Sequence, residues 1–350
     1  AAALLDIVNG SFTSETGNVD LEAYTGSVVG ATVMVKDLDG SADNWATIDA
    51  AGDVTGVVAD VTGYLEIGLN EDTWVPVATP EVALKAAPDD MSVNDIVGVT
   101  ANTVETAADP DVDTDSYVWL DADGTIQGGE VLSSDYAWLT AGAEIDGIET
   151  TAETNVFAAA LLDIVNGSFT SETGNVDLEA YTGSIVGATV MVKDQGTAGG
   201  NWATLDAAGD VTGVVADVTG WLEIGLHEDT WVTVGGAVAL KTAPAAGAMS
   251  VENIVGVTAH TLDPAGIADG ADDARVRLDA DQTIQGGEVL SADFAQLTAG
   301  AEIDGIEVTA DGDVQAAAYE DIVNGSFTSV YGNVDLEAYT GSIVGATVMV

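Results

Sequence analysis

The side chains that could do chemistry in this chain are overwhelmingly carboxylates. Aspartate and glutamate number 59 against 6 lysines and arginines, with two histidines and no cysteine. Carboxylates at alternate positions are the usual donor pattern of a calcium loop, because this hard ion takes oxygen ligands from closely spaced side chains. Asp37, Asp39 and Asp43 have that spacing, as do Asp109, Asp111, Asp113 and Asp115, and in shorter form Asp121 and Asp123. These are the candidate calcium ligands, and calcium is the one cofactor the sequence suggests. None continues into an EF-hand, which also needs a glutamate at its twelfth position. A solvated acidic surface is the simpler account of any single cluster.

Other chemistry is thinner. His227 and His260 stand where an internal repeat has Asn70 and Asn102, so a histidine triad or zinc site would exist once only. Glu66 with Glu71, repeated as Glu223 with Glu228, is a carboxylate pair of the type that hydrolyses glycosides. Its first member lies in Tyr64-Leu65-Glu66-Ile67-Gly68, which alternates like an ordinary half-exposed strand. Gly128-Gly129 does not open a helix and is a weak phosphate loop. No enzymatic activity is expected. Asn9, Asn166 and Asn324 each begin Asn-Gly-Ser, an N-glycosylation pattern. Asn-Gly is also the favoured pair of a type I′ hairpin turn, where both residues take positive φ, and the turn is the preferred reading.

These residues sit in a repeated chain. The stretch Asp6-Ile7-Val8-Asn9-Gly10-Ser11-Phe12-Thr13 recurs from Asp163 and from Asp321, offsets of 157 and 158 residues. The match extends through Asn44-Trp45-Ala46-Thr47, which returns at Asn201 to Thr204. A period of that size suits a whole domain and exceeds any ordinary solenoid unit. Short β-branched runs bounded by glycine and aspartate, such as 27–35, 54–61 and 64–69, predict strands. Serines before 93–96 and 134–139 could cap a helical turn or two. The expected fold is mainly β, as tandem β-sandwich or β-barrel-like domains. Trp45, Trp202, Trp74 and Trp231 recur in register and read as anchors of each core, with a carbohydrate platform as the alternative. Trp119 and Trp138 become Arg277 and Gln296 in the second repeat, so the shared core does not require them.

Two divisions fit the repeat. Cutting after each Met-Val gives an orphan 1–35 and domains 36–192 and 193–350; cutting before each Asp-Ile-Val gives 6–162, 163–320 and a partial 321–350. Under the first, segment 1–35 could donate strands to another copy, with Asp6, Ile7, Val8 and Phe12 in the joint. The third copy carries Val330-Tyr331 where the others have Glu-Thr, which suggests a covered turn.

The net charge of −53 bounds the setting. Such self-repulsion loosens a compact state in dilute buffer and is screened in concentrated salt, so a saline environment is expected. Nucleic acid is excluded as a partner, because six scattered cations cannot neutralise a phosphate track. The longest apolar runs are too short to span a bilayer, so direct membrane insertion is not expected. The chain reads as an extracellular or cell-surface structural subunit, assembling head-to-tail with itself. A glycan-binding adhesin and a virion component are the alternatives.

Overall fold

In the computed structural model the described residues are 1–37, 44–69, 93–105, 116–193, 201–225, 250–263 and 274–350, with the backbone of four further short strands. They fall into two compact units, Ala1–Leu161 and Leu162–Val350. All regular structure among them is strand, and no helix forms. Both positions where a serine could have capped a helix lead into strands instead, Ile96–Val104 and Ala137–Ala141.

The strands do not form hairpins of a sandwich or barrel. In the large sheets of each unit, every strand pairs in parallel with its counterpart one coil further along. Ile126 and Gln127 pair with Ile145 and Asp146, and Ala137–Ala141 with Val156–Ala160. Each unit is a stack of coils, the architecture of a β-solenoid. A coil runs through three strands, as in Ile7–Val8, Ser11–Ser14 and Val19–Ala23. The first two lie in one sheet, here called front, and the third in another, called back. Among the described residues, antiparallel pairing is confined to the two short inserted hairpins and one isolated bridge, Thr16 to Asp37.

A left-handed residue turns the chain between the first two strands of each coil. In unit 1 it is Asn9, Gly30, Gly56, Gly98, Gly128 and Gly147, with φ between 52° and 67°. In unit 2 it is Asn166, Gly187, Gly213, Gly256, Gly286, Gly305, Asn324 and Gly345. Only glycine, and more rarely asparagine, takes this conformation cheaply. The corner explains why 27–35, expected as one strand, is broken into Val28–Val29 and Thr32–Val35 at Gly30. Backbone bonds run up the corner column: Gly30 N–H donates to Thr55 O and Gly56 N–H to Val97 O, each at 2.8 Å.

The residue that opens each coil adds a side-chain ladder. Asp6 Oδ1 accepts from Ser27 N–H at 2.9 Å, Ser27 Oγ from Asp53 N–H at 3.0 Å, and Asp95 Oδ1 from Thr125 N–H at 2.7 Å. Unit 2 repeats it with Asp163, Ser184 and Asn253, and Asp321 Oδ1 accepts from Ser342 N–H at 2.6 Å. Inside, like stacks on like. Ile7, Val28, Val54, Ile96, Ile126 and Ile145 form one buried column, and Leu21, Ile48, Ile67, Leu120 and Leu139 another. Each such side chain contributes about 1.5–3 kcal/mol of burial.

The 157-residue period is therefore not a domain of the expected kind. It is a run of coils of unequal length, opening at Ile7, Val28, Val54, Ile96, Ile126 and Ile145 before the pattern starts again at Ile164. Segment 1–35 is seated on unit 1's own coils: Val28 pairs with Val54 and Leu21 with Ile48.

Candidate functional site

The side chains that project outward from the back sheet of unit 1 make its most distinctive surface. Alternation along each strand puts Leu65, Val118 and Ala137 inside and leaves their neighbours outside. Parallel register then places residues of successive coils side by side. One outward column runs Trp45, Tyr64, Tyr117, Tyr136 and Asn155; the next runs Thr47, Glu66, Trp119, Trp138 and Phe157.

The rings stack. Centroids lie 6.4 Å apart for Trp45 and Tyr64, 5.0 Å for Tyr64 and Tyr117, and 4.8 Å for Tyr117 and Tyr136, with near-parallel planes. Trp119 and Trp138 stack at 5.2 Å, and Phe157 is tilted by 50° against Trp138 at 4.5 Å. Such pairs contribute about 0.5–1.5 kcal/mol each beyond area burial. The tryptophan expected to anchor the core, Trp45, thus lies half-buried on the outside, as does Trp202 in unit 2. The side chains of Trp74 and Trp231 lie outside the described residues.

The turn that launches Val118–Ala122 is pinned from beneath. Thr103 Oγ donates to Ser116 O at 2.7 Å, and Ser116 N–H donates to Asp135 Oδ2 at 2.8 Å. Tyr117 OH donates to Glu66 Oε1 at 2.6 Å. Burial, and then that carboxylate, push the Tyr117 phenol well above its ordinary range. Burial, followed by the charges of Glu66 and Asp135, pushes Tyr136 up to about 12. Both rings stay neutral phenols under ordinary conditions.

Two grooves open on this face. One, of about 270 Å³, is acidic and lined by Asp20, Glu22, Trp45, Thr47, Asp49 and Glu66 with Leu69. The other, of about 240 Å³, is lined by Trp119, Tyr136, Ala137, Trp138, Asn155 and Phe157. The corresponding face of unit 2 keeps the acids and a Trp202–Trp221 stack at 5.7 Å, but Arg275, Arg277, Gln296 and Gln315 stand where unit 1 has Tyr117, Trp119, Trp138 and Phe157. Arg275 lies 5.2 Å over Trp221, and Arg275 and Arg277 bond Glu223 at 3.1 and 3.2 Å.

The candidate residues from the sequence are scattered. Asp39, Asp43, Asp109, Asp111, Asp113 and Asp115 lie outside the described residues, as do Glu71, His227 and Glu228. Asp37 bridges to Thr16, Asp121 is buried and accepts from Thr140 Oγ at 2.8 Å, and Asp123 N–H donates to Val93 O at 2.8 Å. Among the described residues no three acid or histidine side chains converge to hold a metal. Asn9, Asn166 and Asn324 are exposed and left-handed, but the glycine after each is not, so the turn is a coil corner and not a type I′ hairpin. Asn324 Nδ2 donates to Asp304 Oδ1 at 3.2 Å. Asp6 belongs to the coil-opening ladder, Ile7 points inward and Val8 outward, and Phe12 is partly exposed where Phe169 and Phe327 are fully buried. Val330 and Tyr331 are exposed on a turn, with Tyr331 N–H donating to Asp311 O at 2.9 Å. Gly128 is a coil corner and a side chain at Gly129 would strike Val99 O at 2.2 Å, so both glycines serve stacking.

Comparison of the chain with family models, with curated proteins and with solved structures gives no match.

Proposed function

We propose that the chain is a structural subunit of an extracellular assembly in a saline environment, such as a filament, tube, appendage or surface layer, built by stacking coils of successive copies head-to-tail. A coil buries its inward side chains against the coils above and below it, so an uncovered coil is a template for another. The observation that carries the reading is the stacking itself: coil pairs with coil through the same parallel register, as Ile126 with Ile145 and Ala137–Ala141 with Val156–Ala160, and that geometry is one that coils of another copy could continue. Segment 1–35 pairs with its own unit, so coil-on-coil stacking is the mode proposed in place of its exchange.

The test is sedimentation velocity and negative-stain microscopy of the 350-residue chain in molar salt over a concentration series. Concentration-dependent linear species, with circular dichroism unchanged, support the reading. A monomer at every concentration sinks it.

A further inference from the structure

The aromatic groove of unit 1 goes beyond a scaffold role. The Tyr117–Tyr136 stack stops at Asn155, so Tyr136 is the last ring of its column and borders an open space. Beside it the 50° tilt of Phe157 against Trp138 breaks the second stack at the same level. The groove between them holds about 240 Å³.

We infer that this groove, between Tyr136, Trp138, Asn155 and Phe157, is a binding site for a neutral sugar ring, such as one residue of an uncharged polysaccharide. The lining decides among ligand classes. A pyranose presents an apolar face to aromatic rings and, at its rim, hydroxyls that can pair with the Tyr136 hydroxyl and the Asn155 amide. An aliphatic or aromatic peptide side chain would fill the space but make no use of either polar group. A cationic group would find no carboxylate among the six lining residues. An acidic sugar would meet the field of a chain with net charge −53. The pairing of aromatic walls with a few polar groups is the ordinary composition of a small-ligand site. Unit 2 supplies an internal contrast, because Arg277, Gln296, Asp313 and Gln315 stand where unit 1 has Trp119, Trp138, Asn155 and Phe157. These aromatic walls belong to unit 1 alone.

The experiment is a titration of the intact chain in molar salt with cello-, malto-, laminari- and chito-hexaose, read by tryptophan fluorescence and calorimetry. Saturable binding of at least one is expected. Tyr136→Ala should weaken it by about tenfold, as loss of a stacking partner does. Trp138→Phe narrows the aromatic wall and should weaken binding while the melting temperature holds. Trp202→Ala, in unit 2, should leave binding unchanged. The inference is overturned if none of the four sugars binds, if Tyr136→Ala and Trp138→Phe bind as the parent does, or if an arginine-rich peptide binds the groove in their place.

Discussion

At the scale of the residue, the coil corners carry the most local information. Gly147 has φ 67° and open space where a side chain would stand. Replacement there tests backbone conformation with no steric confusion. Gly147→Asn should cost well under 1 kcal/mol, because asparagine already holds this conformation at Asn9, Asn166 and Asn324. Gly147→Val should cost about 1–2 kcal/mol or more, the strain of a β-branched residue in the left-handed region. Urea unfolding of both variants checks the ordering, and equal costs would contradict it. This column was legible in the sequence as a recurring Ile/Val-x-Gly/Asn triplet: Ile7-Val8-Asn9, Val28-Val29-Gly30, Ile96-Val97-Gly98 and Ile145-Asp146-Gly147. It was hidden because successive triplets are unevenly spaced, with segments such as 70–92 inserted between coils. Only the long offset, which contains every insertion once, survives as an obvious period. Strand content was readable from β-branching; the parallel pairing was not, since a fully buried run looks alike in a sandwich and a solenoid. Trp45 was misread as core for a related reason. Hydrophobicity alone does not say that Trp45, Tyr64, Tyr117 and Tyr136 shelter one another on the outside by in-register stacking.

At the scale of the element, stacking in register also brings like charges together. Strand Val176–Ala180 carries Asp177 and Glu179 outward, and Glu179 pairs across to Asp206. Glu179 is buried, and burial followed by the Asp177 charge pushes its carboxyl up to about 7, against a smaller opposing pull from the Tyr181 hydroxyl. The folded chain therefore holds a proton between the ordinary carboxylate range and about 7 that the unfolded chain has released. Linkage then makes stability fall as pH rises through that window and level off above it. The contribution is at most about 3 kcal/mol. Glu179→Gln should flatten this part of the stability–pH curve and leave the variant the more stable of the two at pH 8. Urea midpoints between pH 4.5 and 8 read it directly, and parallel curves for the two proteins would refute the assignment. A core change gives the reference size for the same architecture. Leu139→Ala removes a side chain packed between Leu120 and Ala158 on neighbouring coils, and should cost about 2–5 kcal/mol.

At the scale of the whole molecule, the net charge of −53 sets the conditions under which these stacks hold. Parallel register repeats outward carboxylates from coil to coil, as with Glu130 beside Glu149 and Glu288 beside Glu307. Like charges directly opposite across strands are destabilising, and here they are built in. Raising ionic strength from about 0.1 M to 1 M shortens the screening length from about 10 Å to about 3 Å, comparable to the strand spacing itself. Repulsion between second-neighbour coils is then removed, and that between adjacent coils reduced. Thermal melts in sodium chloride should accordingly show Tm rising by about 10 °C or more, which corresponds to a few kcal/mol for a chain of this size. The same series in calcium chloride at matched ionic strength separates screening from binding. If calcium acts only by screening, the two curves coincide; if acidic stretches of the sequence such as 109–115 hold the ion, calcium raises Tm further and at millimolar concentration. A Tm insensitive to sodium chloride would overturn the saline setting itself. It would mean that the stacked hydrogen bonds and buried columns outweigh the repulsion without help from the solvent.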